Sequence, residues 1–104
     1  MRNELKDKVG TLLIHLGITP SIKGFYYILD AVDIFANNPS MKAKDIFEII
    51  AIRHDTTYAR VERALRFAFL KMNEEKTIEY FGSSDYASMG FISIIAWKEG
   101  MNNE

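Results

Sequence analysis

The chain contains no cysteine, which excludes disulfides, thiolate metal centres and cysteine nucleophiles and fits a reducing compartment. Proline is scarce at two residues and glycine numbers six, so long irregular stretches are not expected. Long apolar runs are lacking too. The longest, residues 91–97, is broken by Ser93 and is far too short to cross a bilayer, so no membrane association is expected. The opening MRNELKDKVG has no apolar segment of the signal-peptide kind, and a cytoplasmic protein is expected. An excess of one charge is also missing: the net charge is −1, which argues against a protein that is basic throughout.

What is present is an ordinary soluble balance, 48% hydrophobic and 26% charged over 104 residues. That length suits one domain with a single core. The charge is unevenly distributed. Between residues 53 and 71 stand Arg53, Arg60, Arg63, Arg66 and Lys71 against only Asp55 and Glu62, a local +3. The segment after it is acidic and the segment before it neutral. A basic segment on a neutral-to-acidic body suits a small DNA reader, and also a plain exposed helix.

Apolar periodicity is helical from end to end. Leu5, Val9, Leu12, Leu13 and Leu16 form a first stripe, stopped by Gly17 with Pro20 beyond. A second helix starts at Ser21 or Ile22, buries Phe25, Ile28, Leu29, Val32 and Phe35, and ends at Asn37-Asn38-Pro39. Ser40 is the expected cap of a third helix over 41–54, with Ile46, Phe47, Ile49, Ile50 and Ile52 as its stripe. Asp55-Thr56-Thr57 interrupts the pattern, and a fourth helix over 58–72 turns Val61, Leu65, Ala68, Phe69 and Met72 inward. A short helix over 74–81 stops at Gly82, a loop covers 83–90, and a last helix covers 91–98. By composition alone, that last run also suits a strand. The expected architecture is all-α, a compact bundle of five to six helices.

Helices over 41–54 and 58–72 joined by a short turn satisfy a helix-turn-helix. Ala51 is small enough to admit the second helix closely, and Val61 and Leu65 would anchor it. Arg63 and Arg66, three apart, lie on one outward face. Arginine donates two bonds to the O6 and N7 of guanine, and Glu62 can accept from the N4 amine of cytosine. Thr56, Thr57, Arg60 and the helix N-terminus are placed to meet phosphates, with Arg53 just before the turn. The competing reading is an exposed helix in which Glu62 and Arg66 form an i,i+4 ion pair.

The run Thr56-Thr57-Tyr58-Ala59-Arg60-Val61-Glu62-Arg63-Ala64-Leu65-Arg66 resembles the TT-x-x-RVERAIR segment of the stage-zero sporulation protein A family, in its C-terminal DNA-binding domain. His15-Leu16-Gly17-Ile18 through Ile22-Lys23-Gly24-Phe25-Tyr26-Tyr27-Ile28 is similar to the family's LG-(I/V)-P-x-x-IKGY-x-YL stretch, and Tyr80-Phe81-Gly82 to its LFG. The three occur in order and cover about residues 9–98. The resemblance implies a six-helix domain and a transcription regulator that binds TGTCGAA-like duplex as a tandem dimer. By matching position, Glu62, Arg63 and Arg66 would read bases, and Thr57, Ala59 and Arg60 would face phosphate.

The chain departs from the family pattern in four places. Phe67 stands where family members usually have His, which exchanges a polar contact for a thymine-methyl or sugar contact. Tyr58-Ala59 replaces Pro-Ser and removes a hydroxyl. The segment between Gly82 and Phe91 is shorter by several residues. Residues 1–104 are expected to be one DNA-binding domain with no receiver domain, either a fragment of a longer regulator or a free-standing relative.

Other constellations lead nowhere. His15 and His54 lack a second metal ligand at suitable spacing; His15 reads as a half-buried structural residue, and His54 as a helix-end cation or phosphate contact. Asp30 and Asp33 read as a solvated face. No acid, base and oxyanion set assembles, so neither an enzyme nor a cofactor or small-molecule ligand is expected. Phe25, Tyr26 and Tyr27 could stack single-stranded bases, but on a helix Phe25 reads as core with the tyrosines partly exposed. Phe91, Ile94, Ile95 and Trp97 crowd the last helix, and the surplus suggests either a homodimer contact or a core wrapped by the first helix. Two functions follow: duplex DNA binding, or a protein-interaction module that keeps the fold and pairs with a regulator.

Overall fold

The computed structural model describes residues 3–101. Six α-helices follow in order: α1 Glu4–Leu16, α2 Lys23–Asn37, α3 Ala43–Arg53, α4 Tyr58–Leu70, α5 Glu74–Phe81 and α6 Ser88–Ala96. A π-helical turn, Trp97–Met101, prolongs α6. No strand occurs among the described residues, so the 91–97 run is helical, as the all-α expectation required.

α2 lies in the middle and packs against α1, α3, α4, α6 and the π-helical turn. Its sequence explains that place, because Gly24, Phe25, Tyr27, Ile28, Ala31, Val32 and Ile34 are all buried. The core around it includes Leu13, Ile46, Ile50, Val61, Leu65, Ile92 and Ile95, each fully enclosed. Each such side chain contributes roughly 1.5–3 kcal/mol relative to exposure.

Several boundaries moved. α3 starts at Ala43, and its first residue is preceded by Lys42 without a side-chain cap. Ser40 does not cap it, because its hydroxyl donates to Asn38 Oδ1 at 3.0 Å. Ile52 is 81% exposed; two residues after the buried Ile50 it points to the opposite side of the helix. α6 begins three residues earlier than expected, since the Ala87 carbonyl already accepts from Gly90 and Phe91 at 2.9 and 3.2 Å. α4 ends at Leu70, and the Lys71 and Met72 amides tighten back onto Ala68 and Phe69. Tyr27 is buried rather than partly exposed, whereas Tyr26 is 47% exposed; His15 is exposed.

Glycine matters most at two positions. Gly17, at φ 113°, closes α1: its amide donates to Ile14 and the Ile18 amide to Leu13, while Ile18 itself is fully buried. That is the left-handed stop with its apolar follower. At Gly24 the requirement is space. A Cβ there would lie 2.6 Å from the Ala64 carbonyl oxygen and 2.6 Å from Ala68 Cβ. α2 therefore meets α4 backbone against backbone.

Gly24→Ala is expected to destabilise the domain. The gain in helix propensity is up to about 1 kcal/mol, and overpacking costs about 1–3 kcal/mol. A drop of several degrees in melting temperature is expected by calorimetry, and an unchanged or raised value would contradict the close approach.

Candidate nucleic-acid interface

The turn between α3 and α4 is built by the backbone. The Asp55 amide donates to Ile52 at 3.3 Å and the Thr56 amide to Ala51 at 2.9 Å, the paired bonds of a Schellman stop. Asp55 sits at φ 52°, a left-handed conformation that glycine takes without penalty. Thr57 then caps α4, its hydroxyl accepting from the Arg60 amide at 3.2 Å. Of the two threonines, Thr57 is thus the cap, while Thr56 is half-buried in the turn.

α4 divides cleanly. Val61, Leu65, Ala68 and Phe69 are buried against the core. Ala59, Arg60, Glu62, Arg63, Arg66, Phe67 and Leu70 are exposed. Among the described residues the side chains of Arg60, Glu62, Arg63 and Arg66 form no hydrogen bond or ion pair. The i,i+4 pair open to Glu62 and Arg66 is therefore not made. Phe67 is 50% exposed and lies beneath Lys71, whose Nζ is 4.7 Å from its ring centroid.

Arg53 belongs to a cluster that the sequence did not suggest. Asp30, read as solvated, is only 8% exposed. It receives Lys6 Nζ at 2.9 Å, His54 Nε2 stands 2.7 Å from its other oxygen, and Arg53 approaches to 3.9 Å. Facing a carboxylate, that histidine nitrogen carries the hydrogen. The His54 ring also meets Tyr27 edge-on at 4.9 Å. Burial alone would raise the Asp30 pKa; the bonds from His54 and Lys6, with their charges, outweigh it and hold the carboxyl below its ordinary 3.8. One aspartate on α2 thus ties down α1 and the end of α3, where the turn begins. A signal existed: Asp30 falls among apolar neighbours at Tyr27 and Ile34, on the core side of α2. Asp33 is half-buried and accepts from Asn3 and Asn37 at 3.1 and 2.8 Å, the latter through its carbonyl.

The last helix holds fewer surface residues than expected. Phe91 stacks on Phe69 at 4.8 Å and Ile95 is fully enclosed. Of the four apolar residues considered for a dimer contact, only Trp97, 53% exposed, and the half-buried Ile94 reach the surface. Beyond them Tyr80 donates to Glu99 Oε2 at 2.6 Å and Lys8 to the Glu99 carbonyl at 2.9 Å, fastening the π-helical turn. Burial, then the bond to Glu99, pushes the Tyr80 phenol upward.

Because the folded-state pKa of Asp30 is depressed, its contribution is complete above 3.8 and is lost as pH falls through the lower folded value. Asp30→Asn is expected to cost about 1–3 kcal/mol at pH 7 in urea unfolding. The gap from wild type should close in strong acid, and a gap independent of pH would refute the ionic role. Asp55→Gly should raise stability by about 0.5–1 kcal/mol by relieving the left-handed φ; a loss of stability in the same assay would show that the Asp55 side chain supports the turn.

Over residues 9–89 the sequence matches the family described as Sporulation initiation factor Spo0A C terminal.

Proposed function

The chain belongs to the Spo0A C-terminal family, the effector domain of a sporulation regulator, and we propose that it binds double-stranded DNA with α4 in the major groove. The observation that carries this reading is the row of guanidinium groups without a partner among the described residues, Arg60, Arg63 and Arg66, on the exposed face of a helix capped at the end of a short turn. A guanidinium without an internal partner keeps all of its donors for a ligand, and base edges and phosphates are the ligands its fork fits.

Arg63 and Arg66 read guanines, Glu62 accepts from cytosine, and Phe67 meets a thymine methyl or a sugar. Thr56, Thr57, Ala59, Arg60 and Arg53 face the backbone, with the free amides of the α4 N-terminus beside them. Arg53 is suited to that work because its contact with Asp30 is long and its side chain is 49% exposed. On tandem sites a second copy would join through Trp97 and Ile94. No helix among the described residues is long and apolar enough to cross a membrane.

One observation favours the second reading, an interaction module that pairs with a regulator. Leu70, 79% exposed, and Phe67 put apolar area on the same face as the arginines.

Fluorescence anisotropy separates the two. A duplex carrying a TGTCGAA-type element should bind more tightly than a scrambled duplex. Binding should weaken steeply with salt. Arg63→Ala and Arg66→Ala should each cost about 1–3 kcal/mol, roughly five- to 150-fold, and relax base preference. Weak binding that is equal for all duplexes and for all variants would exclude sequence-specific recognition and leave the interaction module.

A further inference from the structure

Beside α4 the surface falls into a groove of about 660 Å³, inside the roughly 300–1,000 Å³ of small-molecule sites. It lies between α3, α4, the start of α5 and the segment leading into α6. Its floor is aromatic and buried: Phe47, Phe69 and Phe91 are 4%, 7% and 4% exposed. Tyr86 forms the far wall, edge-on to Phe91 at 5.5 Å. That wall is tightly packed, because Tyr86 lies over Gly90, where a Cβ would come within 3.1 Å of Tyr86 Cβ. The rim carries the carboxylates of Glu62, Glu74 and Asp85 against the single guanidinium of Arg66. None of these four side chains has a hydrogen-bond or ion-pair partner among the described residues.

We propose that this groove is a binding site for a small aromatic amine, its ring on the phenylalanine floor and its ammonium group among the rim carboxylates. Shape and charge select that class together. The apolar floor takes a flat ring out of water, and the rim carboxylates attract the ammonium group at its end. Three carboxylates against one guanidinium repel an anion of the same shape, while a neutral analogue keeps only the contact with the floor. The site does not depend on DNA binding by α4. Glu62 and Arg66 nevertheless belong to both the rim and the exposed face of α4, so occupancy brings a cation to the helix that carries the arginines.

The test is a titration of the isotope-labelled chain with tryptamine, followed by two-dimensional amide NMR. Saturable shifts confined to the groove, around residues 69–74 and 84–89, are expected. Indole-3-ethanol, the neutral analogue, should bind more weakly, and indole-3-acetate most weakly. The double variant Glu74→Gln, Asp85→Asn removes two exposed carboxylates and leaves the core intact. It should weaken tryptamine about two- to twenty-fold and bring it towards indole-3-ethanol. Glu48→Gln, exposed on α3 outside the groove, should leave binding unchanged. Shifts scattered over the surface or without saturation would remove the site. Equal affinity for the three indoles, or no loss in the double variant, would overturn the assignment of ligand class.

Discussion

The position of α4 rests on a contact in which one partner has no side chain. At Gly24 the backbone of α2 comes so close to Ala64 and Ala68 that a single methyl group would collide with both. Two small alanines on α4 and one glycine on α2 bring the helices together, and Val61 and Leu65 then fill the core beside them. The direction in which Arg60, Arg63 and Arg66 face is a consequence. Once one side of α4 is fixed against α2, the helical repeat leaves the arginines on the other. Gly24 is also part of the family-like IKGF stretch, so a motif recognisable only as a pattern acquires a packing reason.

A second constraint acts through charge. Asp30 lies on the same central helix and gathers a lysine from α1 with a histidine and an arginine at the end of α3. Ordinarily a buried carboxylate is unfavourable, but partners on several sides offset its desolvation. The turn that follows is closed by backbone bonds and by Asp55 in a left-handed conformation. The helix pair is therefore held at the C-terminal end of its first helix and along the length of its second. Among the described residues the exposed charges of α4 make no comparable internal bonds, and this contrast between a paired interior and an unpaired face underlies the DNA reading.

Much of the fold was legible because helical periodicity and stop signals are local. Gly17, Gly82 and the Asn-Asn-Pro run ended helices where expected, and the inward residues of α4 through Phe69 were read correctly, because both depend on near neighbours in sequence. The errors fell where a distant residue decided. Asp30 looked solvated until Lys6, Arg53 and His54 arrived from other helices. Ile52 looked buried because apolar character was counted without asking whether any helix covers that side. Ser40 was a local exception: Asn38, two residues away, took the hydroxyl that would have capped α3. At the candidate interface, residue types and spacing were readable, but whether Glu62 and Arg66 would pair with each other was not.

By itself, then, the sequence determined an all-helical chain, the turn before residue 58 and the arginine spacing on one face, since these follow from short-range periodicity, capping and the i,i+3 geometry of a helix. Only the tertiary structure decided that Phe91 and Ile95 belong to the core, that Asp30 is a buried hub and that an acidic-rimmed aromatic groove lies beside α4. Each of these depends on how elements far apart in the chain approach one another, and that approach is set by close packing rather than by local preference.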